Sequence, residues 1–154
     1  MQLGDILWAE GVKILGATSS KKRLFQDLAE LAQSCYRLDA SRVFEALNER
    51  ENLGPTGVGH GVALPHARLN DLGQMRGLFV RLERPLDFDA VDRQPVDLVF
   101  TLFAPASAGV DHLKSLALVS RTMRNPSICA KLRANSDPAT LYTILTESPA
   151  IQAA

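Results

Sequence analysis

The chain of 154 residues has three histidines, and two of them fall in one tight stretch, GVGHGVALPHARL, at positions 57–69. His66 follows Pro65, whose ring fixes φ and removes an N–H. The preceding VAL reads as a short strand and LPHAR as its exit into a loop, with the imidazole on a rim. Gly57, Gly59 and Gly61 let the backbone turn tightly and approach a ligand closely. Successive N–H groups in such a loop can form an anion-binding nest. An ordinary glycine-rich turn with a surface histidine gives the same pattern. Two nucleotide motifs fail on spacing. No lysine follows a glycine as G-x-x-x-x-G-K-[ST] requires, and the glycines recur every second residue with Val62 where G-x-G-x-x-G would continue.

Two residues elsewhere suit an anion. His112 falls in the first turn of a helix beginning near Gly109 or Val110, where free N–H groups and the helix dipole favour negative charge. Arg50 continues the apolar face of Val43 and Leu47 at the last turn of another helix, and its planar fork matches phosphate oxygens. Each has a plainer explanation: a solvated polar residue at a helix end, or an arginine paired with Glu49 or Glu51. His60, His66 and His112 with Asp111 could instead supply zinc ligands, but the H-x₅-H spacing of His60 and His66 matches no usual zinc arrangement.

Length and composition set the frame. The chain suffices for one ordinary domain, expected to span 1–154. Lys plus Arg and Asp plus Glu are 17 each, so the formal net charge is zero. That argues against broad electrostatic binding to nucleic acid or anionic membrane. Cys35 and Cys129 sit far apart and read as buried free thiols, which fits the cytosol. MQLGDILWAEG lacks the pattern of a signal peptide, and no apolar run is long enough to span a bilayer.

The elements that must position these residues follow from periodicity. VKIL (12–15) reads as a short strand. SSKKRLFQDLAELAQSC predicts a helix with Leu24, Leu28, Leu31 and Cys35 on one face and Ser19 or Ser20 as its cap. DASRVFEALNER predicts a second helix. MRGLFVRL (75–82) and VDLVFTLF (96–103) read as strands, the latter apolar on both faces and hence covered on both. ERPLDFDAVDRQP between them reads as turns with a short edge strand. Three helices close the chain, two of them announced by Asn125-Pro126 and Asp137-Pro138, a cap residue followed by proline. The predicted fold is α/β: one domain with a mixed, mostly parallel central sheet, antiparallel members, and helices on both sides.

With those residues in view, the chain resembles the enzyme IIA domains of the phosphoenolpyruvate-dependent phosphotransferase system, fructose/mannitol type, in the nitrogen-regulatory branch. The matching pieces are RENLGPTGVGHGVALPHARL (50–69), PLDFDAVDRQPVDLVFTLFAP (85–105) and HLKSLALVSRTMRNPSICAKLRAN (112–135). The resemblance implies that His66 is phosphorylated and that Arg50 and His112 flank the phosphoryl group. His60 departs from the pattern, since many members carry Asn there, and no role carries over to it.

The implied chemistry needs no cofactor or metal. A neutral imidazole nitrogen attacks phosphorus, and the labile phosphoramidate passes the group on; positioning and charge neutralisation do the rest. The implied donor is a small histidine phosphocarrier protein, charged by enzyme I. Such a partner calls for a shallow, partly apolar docking depression. The implied regulatory targets are proteins such as transporters, sensor kinases or stringent-response enzymes. The alternative is a sugar-transport IIA component that feeds a fructose- or mannitol-type IIB domain; the single domain, with no IIB segment or membrane helix, favours regulation.

Overall fold

A computed structural model describes residues 1–16 and 18–147 of the protein. The expected single-domain span therefore runs past the described residues at its C-terminal end. Six strands and five α-helices are described: β1 (Leu7–Leu15), α1 (Lys21–Tyr36), α2 (Ala40–Leu53), β2 (Gly57–Gly59), β3 (Val62–Ala63), β4 (His66–Leu69), β5 (Arg76–Leu86), β6 (Val96–Pro105), α3 (Val110–Met123), α4 (Pro126–Ala134) and α5 (Pro138–Thr146).

The strands form one sheet in the order β1-β5-β6-β3-β2, with β4 also on β6. Pairs β1–β5, β3–β6 and β4–β6 are parallel, whereas β5–β6 and β2–β3 are antiparallel. This is the predicted mixed sheet. β6 is its organising strand because both its faces are apolar. Leu98, Phe100, Leu102 and Ala104 pack towards α3–α5, while Val99 and Phe103 pack towards α1 and α2.

Caps define the helix starts as the sequence indicates. Ser20 accepts from Arg23 N–H, Asp39 from Ser41 N–H, Asn125 from Ser127 and Ile128 N–H, and Asp137 from Ala139 N–H. Three expectations need correction. The buried stripe of α1 is Leu24, Phe25, Leu28, Ala29 and Ala32. Two alanines let the helix approach closely, so Leu31 and Cys35 lie on its flank, half-exposed. β1 is longer than VKIL because its register shifts between Leu7 and Val12, which breaks the alternation. ERPL prolongs β5 up to Leu86, which faces Val96.

Candidate functional site

β3 and β4 behave as one strand interrupted at Leu64–Pro65. Val62 faces Leu98 and His66 faces Leu102, so the register against β6 is kept across the break. LPHAR is thus a re-entry into the sheet where a loop was expected. β4 has β6 on one side only and lies at the sheet edge. Its alternation buries Ala67 and Leu69 against α1 and α2. His66 and Arg68 must then point to the opposite face, where α3 packs.

Three further elements bring groups to that spot. α3 places His112 in its first turn, buried, with its ring centroid 5.7 Å from that of His66. Gly109, the N-cap of α3, offers no side-chain cap, and Asp111 is the acidic residue of the first turn. α2 carries Arg50 in its last turn; its Nε–H donates to His66 Nε2 at 3.2 Å and its Nη1 donates to Gly54 O at 2.9 Å. Arg50 therefore serves the histidine and pairs with neither Glu49 nor Glu51. These groups open on a depression of about 360 Å³ lined by Ala46, Glu49, Arg50, Leu53, His66, Ala67, Arg68 and His112.

The hydrogen bonds set the state of His66. Its Nδ1 lies 3.0 Å from Leu64 O, an acceptor only, so Nδ1 carries the proton and donates it. Nε2 is left with its lone pair, which receives Arg50. Burial lowers the affinity of this imidazole for a second proton, and the Arg50 charge lowers it further. Burial likewise depresses His112, helped by Arg68 and His66. Both nitrogens of His112 are buried and have no partner among the described residues.

Comparison with known proteins gives the family. Residues 5–148 match the family described as phosphoenolpyruvate-dependent sugar phosphotransferase system, EIIA 2. The chain belongs to that family. It is 45% identical to the nitrogen regulatory protein of Bradyrhizobium diazoefficiens over 99% of this chain and 100% of that one. It is 41% identical to that of Escherichia coli, over 96% and 91%. Its fold superposes on nitrogen regulatory protein IIA-Ntr from Neisseria meningitidis with a TM-score of 0.86 at 38% identity, covering 94% and 99%. The EIIA 2 chain is a phosphocarrier with a regulatory role.

Two expectations about the glycine stretch of this EIIA 2 chain change. The glycines are small for the protein's own sake. A Cβ on Gly57 would come within 2.8 Å of Ala90 Cβ, and one on Gly61 within 2.9 Å of Asp97 Oδ1 and into Arg133. His60 serves through its backbone: its N–H donates to Asp92 at 2.9 Å and its carbonyl accepts from Arg133 at 2.8 Å, while φ is 58°. No group of three or more His, Cys, Asp or Glu side chains able to hold a metal occurs among the described residues, so the zinc set of His60, His66, His112 and Asp111 is not assembled. Arg68, which also lines the depression, is not singled out by the sequence. It sits two residues after His66, on the same face of a strand, a signal that disappears where LPHAR reads as a loop.

Proposed function

We propose that His66 is the phosphorylated residue, with Arg50 and His112 as phosphate contacts. The group is accepted from a histidine phosphocarrier protein charged by enzyme I. The observation that carries this reading is the pair of contacts on His66, Nδ1 at 3.0 Å from Leu64 O and Nε2 at 3.2 Å from Arg50 Nε, at a depression edged by Arg50, Arg68 and His112.

In the transfer, Nε2 attacks phosphorus and the donor's P–N bond breaks, its electron pair returning to the donor imidazole. The Nδ1 proton stays in its bond to Leu64 O, so no base is needed and the ring becomes cationic beside the phosphoryl oxygens. Arg50 already lies on the lone pair and has only to pivot to receive those oxygens. Exposed Leu53, Val110 and Leu113, from the ends of α2 and α3 that carry Arg50 and His112, give a docking protein apolar contact around the polar centre.

The partners regulated in this way are proteins such as transporters, sensor kinases or stringent-response enzymes, and the protein works in the cytoplasm without nucleic acid or membrane insertion. No helix among the described residues is long and apolar enough to cross a membrane. The phosphoryl oxygens bring about −1.5 to −2 charge to the docking face, offset in part by the cationic ring, and a change of that kind switches partner preference. The test is incubation with enzyme I, the carrier protein and labelled phosphoenolpyruvate. Wild type takes up acid-labile, base-stable label and His66→Ala takes up none; label surviving in His66→Ala overturns the assignment.

A further inference from the structure

Glu51 follows Arg50 in α2, yet it points into the protein. Its side chain is 7% exposed and accepts three hydrogen bonds. Lys21 Nζ, from the first residue of α1, lies 2.8 Å from Oε2 and 4.8 Å from the centre of the Phe88 ring. Thr56 N–H donates to Oε2 at 3.0 Å, and Thr56 Oγ1 donates to Oε1 at 2.6 Å. Both oxygens of this carboxylate are thus bonded, by an ammonium and two donors of one residue, and such charge-assisted bonds are the strong ones. Glu51 thereby clamps the turn from Gly54 to Thr56 onto the ends of α1 and α2.

That turn supplies both carbonyls on which the site depends. Gly54 O receives Arg50 Nη1 at 2.9 Å. Thr56 O receives Leu64 N–H at 2.9 Å, and the carbonyl of the same Leu64 receives His66 Nδ1–H at 3.0 Å. We propose that Glu51 is a positioning residue for phosphoryl transfer: through the Gly54–Thr56 turn it holds both the aim of Arg50 and the tautomer of His66. The proposal rests on His66 being the phosphoryl carrier, but the state of the imidazole can be read without any transfer.

The test compares wild type with Glu51→Gln, Thr56→Val and Lys21→Met, each checked for native circular dichroism. Glu51→Gln loses the charge and sets an amide N–H₂ against donors. Thr56→Val loses the hydroxyl alone, and Lys21→Met the ammonium alone. Imidazole ¹⁵N shifts report the tautomer of His66, and initial uptake of label from the phosphorylated carrier reports transfer. Wild type shows His66 as the Nδ1–H tautomer. Glu51→Gln shows a mixture with Nε2–H and takes up label on the order of tenfold more slowly or worse, since a misplacement of about 1 Å can cost about a hundredfold. Thr56→Val and Lys21→Met move both readouts in the same direction by less. A folded Glu51→Gln with an unchanged His66 tautomer overturns the proposal. If Glu51→Gln does not fold, unchanged tautomers in both Thr56→Val and Lys21→Met overturn it equally. Absence of label on wild type would sink the carrier reading and leave the tautomer measurement to judge Glu51.

Discussion

Replacing His112 by leucine should make the resting protein more stable and the carrier slower. His112 is buried, and neither ring nitrogen has a hydrogen-bond partner among the described residues. A buried polar group left unpaired costs about 1–3 kcal/mol, and exchanging it for an apolar side chain of similar size removes that cost. One turn along α3, at the i+4 position, Leu116 already packs against an apolar cluster. The expected gain is about 1–2 kcal/mol, or roughly 2–8 °C in melting temperature for a chain of this size. Urea unfolding at pH 8, where both imidazoles are neutral, should show the higher midpoint at an unchanged m value. On the proposed site the same variant loses one donor to the moving phosphoryl group in the transfer assay. Donors of that kind are worth about a hundredfold in rate. His112→Gln, which keeps an N–H, should recover part of the rate. A His112→Leu protein that is less stable by about 1 kcal/mol or more at constant m would show the nitrogens to be satisfied at rest, and the reasoning from unpaired atoms would fail. An unchanged rate would remove His112 from the phosphate site.

The depressed proton affinities of His66 and His112 carry a sign. Below about pH 6.5 the unfolded chain binds protons that the folded state resists, so stability falls as pH drops from there through the folded values. His66→Gln/His112→Leu should flatten the slope of unfolding free energy between pH 7 and 5, and a wild-type slope retained in the double variant would refute it. Arg50→Lys lacks the planar fork that places one donor on Gly54 O and another on His66 Nε2, so on the proposed site label uptake should fall about tenfold or more with the fold intact. His60→Asn should leave stability and uptake as they are. His60→Val should cost about 1–2 kcal/mol in chemical unfolding, because a β-branched residue resists φ of 58°.

The sequence shows most where one rule acts alone. The Asn-Pro and Asp-Pro starts of α4 and α5 are local chemistry, and they appear where expected. β6 is legible because a strand covered on both faces loses its alternation. β1 is obscured because Trp8, Ala9 and Glu10 are exposed around a register shift, so neither period holds. Within the candidate site, His66, Arg50 and His112 each keep a plainer explanation in the chain and are singled out together by the resemblance; the structure brings them to one depression. Arg68 was lost with the mistaken end of the strand. Glu51 was lost for a different reason. A carboxylate beside an arginine looks like its ion-pair partner, and only the tertiary structure shows that it turns inward to Lys21 and Thr56.

His60 answers a question left by the family resemblance, in which many members carry Asn where this chain carries His. The site frame uses only the amide and the carbonyl of this residue, held by Asp92 and Arg133, and it demands a left-handed backbone. Asn and His both tolerate that handedness better than most residues. Selection at position 60 can therefore act on backbone shape while the exposed side chain drifts. Related chains could differ there without any change in how they carry phosphate.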